Sequence, residues 1–69
     1  MNPYTKLIAE GLMVEPSEAR KIQSFIECFY DGFIWNSASV LKILNTAEMA
    51  QRDMQDPALA GWEKWVTND

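Results

Sequence analysis

Nucleophilic catalysis is the first chemistry to consider, because the chain contains one cysteine, Cys28. A serine or cysteine nucleophile usually needs a histidine as its general base, and the sequence contains no histidine. Cys28 lies within residues 25–30 (FIECFY), where apolar neighbours and a carboxylate both disfavour the reactive thiolate. We therefore predict that the protein is not an enzyme and that Cys28 is a packed structural thiol. Redox cross-linking of a dimer is the functional alternative for this cysteine.

The sequence also lacks the patterns that are typical of metal or cofactor binding. Zinc sites built from cysteine and histidine are excluded by the lack of histidine. Asp53 and Asp56 lie near one predicted helix end, but their spacing is not that of a calcium loop. The three glycines, at positions 11, 32 and 61, are isolated and form no phosphate-binding loop. We expect no metal ion and no cofactor.

Aromatic side chains are the residues best suited to a function, and that function is protein binding. The chain has eight aromatic residues, three of them tryptophan. Tryptophan and tyrosine dominate many interfaces because each buries a large, rigid surface. The rings within residues 30–35 crowd one predicted helix end, where all of them are hard to bury. The two C-terminal tryptophans have a structural alternative, clamping the last helix onto the others. The candidate partner-binding residues are Tyr30, Asp31, Phe33, Trp35, Trp62 and Trp65.

Four helical segments are predicted to position these residues. Apolar residues recur every three or four positions, the period of an amphipathic helix. Capping side chains followed by proline mark the starts of the first and last segments, at Asn2 and Asp56. The third segment has Asn36 or Ser37 as its predicted cap. The predicted segments cover residues 3–13, 16–30 or slightly beyond, 37–54, and 56 onward.

The dipeptide Asp31-Gly32 has two interpretations. We favour a helix end with Gly32 as its left-handed cap, since helical spacing continues unbroken from Ala19 to Phe33. The alternative is the two-residue turn of a β-hairpin. Flanking residues that do not alternate between polar and apolar argue against strands.

The predicted fold is all-α, a single domain over residues 1–69. The second and third segments should form an antiparallel αα-hairpin, with short helices at both ends. A hairpin alone has too little surface to bury both apolar stripes. Two copies are therefore predicted to pair as a dimeric four-helix bundle. The predicted dimer and core residues are Ile22, Phe25, Ile26, Phe29, Val40, Leu44 and Ala47.

Charge narrows the choice of partner. Ten acidic and six basic residues give a formal net charge of −4. Nucleic acids and anionic membranes attract basic surfaces, so neither is an expected direct partner. Opposite charge would raise the rate at which this protein associates with a basic protein surface, such as that of a DNA-binding protein. The lone cysteine and the lack of a signal pattern predict a cytoplasmic protein.

These features predict a non-catalytic module that binds another protein. In size, acidity and helicity the chain resembles small phage proteins that disable host regulators, including anti-activators, anti-repressors and anti-CRISPR proteins. That resemblance involves no shared motif, and it implies a stoichiometric inhibitor of a transcription factor or nucleoprotein complex. Two alternatives stay open: an assembly subunit of a larger complex, and an acidic antitoxin-like transcriptional regulator.

Overall fold

The fold is all-helical, as the sequence predicts. The computed structural model describes residues 2–65. Its α-helices are α1 (Pro3–Leu12), α2 (Pro16–Phe29) and α3 (Val40–Met54). Short 3₁₀ turns cover Trp35–Ser37, Pro57–Leu59 and Trp62–Trp65, and residues 2–65 contain no strand. The predicted C-terminal helix is thus two 3₁₀ turns, since Ala60-Gly61 interrupts it with Gly61 at a φ of 78°.

Side-chain caps fix the starts of the helical elements. The Asn2 side chain accepts a hydrogen bond from the Tyr4 amide at 2.8 Å, and Asp56 accepts one from the Ala58 amide at 2.9 Å. Both caps confirm the sequence prediction. The cap predicted for α3 is wrong: Ser39 is the cap, and its hydroxyl accepts from the Lys42 amide at 3.1 Å. Residues 36–39 offer three capping side chains, and the 3₁₀ turn takes up the first two.

The core draws on all three helices and on the C-terminal turn. Each α-helix packs against the other two. Buried alanines on α2 and α3 are the small members of this core. Because every helix already has partners within one chain, a second copy is not needed to cover the α2 stripe. The fully packed apolar residues are Ile8, Ala19, Ile22, Phe25, Ile26, Ile43, Ala47, Ala50 and Trp62.

The Asp31-Gly32 dipeptide forms a β-turn directly after a helix end. Helix α2 stops at Phe29, and the Phe33 amide donates to the Tyr30 carbonyl at 3.2 Å. Gly32 has a φ of 81°, the left-handed region that side chains disfavour. The helix end and the left-handed conformation of Gly32 are confirmed, but Gly32 is not the cap: Tyr30 is the C-cap of α2, and Gly32 lies in the turn that follows. The β-hairpin alternative is wrong for the described residues, because no strand flanks the turn.

The path from α2 to α3 is longer than the predicted short loop. It covers residues 30–39 and includes a 3₁₀ turn. The Tyr30 hydroxyl, just past the end of α2, donates to Asp53 near the end of α3 at 2.6 Å. In a side-by-side antiparallel pair, Asp53 would lie about 20 Å along the axis from that end of α2, given a rise of about 1.5 Å per residue. The antiparallel hairpin is therefore not confirmed, and the dimeric bundle stays a prediction.

Met13 ends α1 in a conformation that costs free energy. Its φ of 57° and ψ of 49° are left-handed, and its side chain is 90% exposed. We expect Met13→Gly to raise the free energy of unfolding by about 1 kcal/mol, because glycine has no Cβ to clash in this region. Met13→Ala is the matched control, since it removes the same side chain and keeps the Cβ. Urea unfolding that ranks the alanine variant equal to or above the glycine variant would contradict this account.

Candidate protein-binding surface

The side chains of residues 33–35 point in alternating directions. Ile34 is extended, with a φ of −114° and a ψ of 110°, and successive side chains of an extended chain point to opposite sides. The rings of Phe33 and Trp35 meet edge to face, with centroids 4.8 Å apart, and Trp35 also contacts Tyr4 at 5.3 Å. Both rings pack partly against the core. Ile34 points away from them and is 60% exposed.

The first turn of α3 exposes two more aliphatic side chains. Val40 is 57% exposed and Leu41 is 69% exposed. Helical side chains lean toward the N-terminus of their helix, so those of the first turn have no preceding turn of their own helix beside them. We call Ile34, Val40 and Leu41 the aliphatic surface. The described part of the chain exposes six large apolar residues, and the three of the aliphatic surface lie close together in sequence, within residues 34–41.

Tyr30 is committed to an internal contact. Its hydroxyl donates to Asp53 Oδ2 at 2.6 Å, and its ring and that of Phe25 meet edge to face with centroids 6.0 Å apart. Burial, reinforced by the hydrogen bond to Asp53 and by the negative charge of that carboxylate, raises the pKa of Tyr30 to about 12. Arg52 opposes this rise. Tyr30 therefore links the ends of α2 and α3, while neighbouring Asp31 is exposed.

Removing the Tyr30 hydroxyl should destabilise the protein in a pH-dependent way. We expect Tyr30→Phe to lose about 1 kcal/mol at neutral pH, the usual net contribution of a hydrogen bond. The folded-state pKa, about 12, lies above the unfolded value of about 10. The hydroxyl's contribution is thus complete below about pH 10 and is lost as the pH rises through about 12. Urea unfolding of both proteins from pH 7 upward measures the difference, which should shrink across that window. A constant difference would contradict the assignment.

Trp62 belongs to the core. It is 4% exposed, and its ring meets Phe25 at 5.2 Å and Phe29 at 6.2 Å, both edge-on. This position matches the clamping alternative considered for the C-terminal tryptophans. The side chain of Trp65 lies outside the part of the structure that is described, so its candidate role stays a prediction.

The predicted dimer and core residues occupy three environments. Those buried within one chain are Ile22, Phe25, Ile26 and Ala47. Leu44 is half-buried beside Gly11 of α1. Phe29 and Val40 are exposed at the surface. Cys28 is also exposed, so the prediction of a packed thiol is wrong.

Ile34 and Leu41 are the surface residues that sequence reasoning missed. The neighbours of each residue explain why. Ile34 is flanked by aromatic rings, and Leu41 continues the apolar edge that ends at Leu44. A usable signal existed at Ile34: an extended Phe33-Ile34-Trp35 must send its middle residue opposite to the two rings. For Leu41, the signal required the correct cap at Ser39, which makes it a first-turn residue.

Chemical sites are sparse in the described residues. No group of three or more cysteine, aspartate or glutamate side chains in residues 2–65 could hold a metal ion. Within the same residues, every helix is too short or too polar to cross a bilayer. No protein-family model, curated protein or solved structure matches this chain. Among the described residues, the exposed aliphatic surface is thus the feature that best indicates a function.

Proposed function

We propose that this protein is a non-catalytic module that binds a regulatory protein through its aliphatic surface and blocks it sterically. One observation carries the proposal: Ile34, Val40 and Leu41 are each more than half exposed within one short segment. The inward-facing rings of Phe33 and Trp35 hold the start of that segment in place. A water-exposed apolar segment that is anchored in this way is what a partner can bury at little ordering cost.

The energy available shows what else the partner must supply. Full burial of one exposed aliphatic side chain contributes about 1.5–3 kcal/mol. Three side chains that are already partly covered would together contribute about 3–5 kcal/mol on that scale. Association costs at least about 4 kcal/mol in lost freedom of motion. The aliphatic surface alone therefore gives weak binding, and a tight complex needs additional contacts at its rim.

Charge provides those contacts. Asp31 is exposed only three residues before Ile34, and the chain carries a net charge of −4. A partner with an apolar pocket bordered by lysine or arginine would meet both features, with the charges acting mainly on the rate of encounter. Surfaces of DNA-binding regulators are basic in this way. A bound copy of this protein would cover such a surface, which is the inhibitor mode that we propose.

A homodimer is compatible with this proposal only through those predicted dimer residues that remain exposed, Phe29 and Val40. Ile22, Phe25, Ile26 and Ala47 are buried within one chain, so a second copy would meet exposed side chains such as Val40. Self-association and partner binding would then compete for one surface. Light scattering over a concentration series tests the dimer, and a loss of dimer on adding the partner tests the competition.

The decisive experiment compares matched surface variants in one capture assay. Tagged wild type, Ile34→Ser/Leu41→Ser and Met49→Ser are incubated with lysate of the cells that naturally contain the protein. Met49 is the control, because it is also about half exposed on α3 but lies outside the aliphatic surface. We expect a stoichiometric partner that wild type and Met49→Ser retain and that the double variant loses. Circular dichroism must show equal helicity for all three.

Inhibition is then measured with the purified partner. Activity should fall in proportion to added wild-type protein and stop falling at an equimolar ratio, while the double variant has no effect. Equal capture by all three proteins would refute the aliphatic surface as the site. A captured partner that stays active would favour the assembly-subunit function, and salt-sensitive binding of DNA by the isolated protein would favour the antitoxin-like regulator.

A further inference from the structure

A small polar cleft lies between the first turn of α1 and the middle of α2. Its volume is about 180 Å³, the space of about six water molecules at roughly 30 Å³ each. It shares no residue with the aliphatic surface. Every lining residue is polar or charged, so the cleft suits a polar occupant. The lining residues are Asn2, Thr5, Arg20, Gln23, Ser24 and Glu27.

Gln23 presents hydrogen-bond donors to this cleft. The residue is only 8% exposed, and its Oε1 accepts a hydrogen bond from the hydroxyl of buried Thr5. Its Nε2 has no hydrogen-bond partner among the described residues. Among the described residues, every fully buried side-chain nitrogen or oxygen has a hydrogen-bond partner. Because Nε2 has none, it must reach the open space of the cleft. A carboxamide nitrogen there offers two N–H groups to an acceptor.

Opposite charges border the cleft on the same face of α2. Arg20 precedes Gln23 by three residues and Glu27 follows it by four, which places all three side chains along one helix face. The two charged residues are separated by about 10 Å along the axis, at about 1.5 Å per residue. Both are exposed, and neither forms an ion pair with another described residue. Their charges are therefore available to a ligand.

We propose that this cleft binds a free α-amino acid. Its carboxylate would accept hydrogen bonds from the Arg20 guanidinium and from Gln23 Nε2, and its ammonium would donate to the Glu27 carboxylate. Charge-assisted hydrogen bonds of this kind are the strong ones. Ser24 and Asn2 favour a polar side chain on the ligand. This inference goes beyond the proposed function and does not depend on it, because the two sites share no residue.

Nuclear magnetic resonance provides a readout at the site itself. The standard L-amino acids are added one at a time at millimolar concentration to ¹⁵N-labelled full-length protein, while the Gln23 side-chain amide signals are followed. We expect saturable shifts of these signals with at least one polar amino acid. The methyl ester of that amino acid removes the carboxylate charge and its N-acetyl form removes the ammonium. Each should bind at least tenfold more weakly.

Three exposed positions on α2 complete the test without disturbing the core. Arg20→Gln and Glu27→Gln should each raise the dissociation constant at least tenfold, whereas Lys21→Gln, which lies outside the cleft, should leave it unchanged. The proposal is overturned if no amino acid shifts the Gln23 signals. It is equally overturned if the ester and the N-acetyl form bind as well as the parent, or if Lys21→Gln weakens binding as much as the two cleft variants.

Discussion

Trp62→Ala is expected to leave about half of the molecules, or more, unfolded at 25 °C. Truncating a buried tryptophan to alanine costs about 3–5 kcal/mol. A domain of this size usually has no more than about 3–5 kcal/mol of stability in total. Trp62 covers Phe25 and Phe29 from the C-terminal turn, although it follows α3 by eight positions. One side chain far along the chain therefore decides whether the helices stay packed.

Far-ultraviolet circular dichroism and urea unfolding measure this effect. Ile34→Ala is the matched control, because it also truncates a large apolar residue but one that is 60% exposed; its midpoint should stay close to that of wild type. Trp62→Phe keeps an aromatic ring against Phe25 and should retain most of the fold. A native spectrum and an unchanged midpoint for Trp62→Ala would show that the turn is not part of the core, and would return Trp62 to the partner-binding candidates.

The sequence predicts the helices better than it predicts their arrangement. Capping at Asn2 and Asp56, and the glycine turn after α2, depend on neighbours within a few residues, so local patterns identify them. Packing depends on distant residues. The sequence predicts that a second chain covers the α2 stripe, because no sequence pattern indicates that α1, α3 and Trp62 all converge on it.

The candidate surface shows the same division between local and distant information. The sequence shows rings crowded within residues 30–35, and the difficulty of burying three rings at one helix end predicts that they face outward. Tyr4 solves that difficulty, since it contacts Trp35 from a helix 31 positions earlier. Asp53 likewise engages Tyr30 from the far end of α3. These two contacts leave Ile34, rather than the rings beside it, as the most exposed large residue of the segment.

Gly11 provides the sharpest test of how α1 meets α3. A Cβ placed on Gly11 would lie 2.4 Å from Leu44 Cδ2 and 2.8 Å from Leu44 Cδ1, too close for the present packing. Replacing a glycine inside an exposed helix by alanine ordinarily gains about 1 kcal/mol. Overpacking costs about 1–3 kcal/mol. We therefore expect Gly11→Ala to lower the free energy of unfolding by about 1 kcal/mol, although alanine is the better helix former.

Leu44→Ala should reverse that sign. With the leucine methyl groups removed, the added Cβ meets open space, and Gly11→Ala should then stabilise the protein by about the propensity difference, up to roughly 1 kcal/mol. The four proteins form a double-mutant cycle with an expected coupling of about 2 kcal/mol, large for a single contact. Equal effects of Gly11→Ala in both backgrounds would mean that the Leu44 side chain does not resist a Cβ at position 11. The cycle thus tests a contact between helices that no local pattern in the sequence indicates.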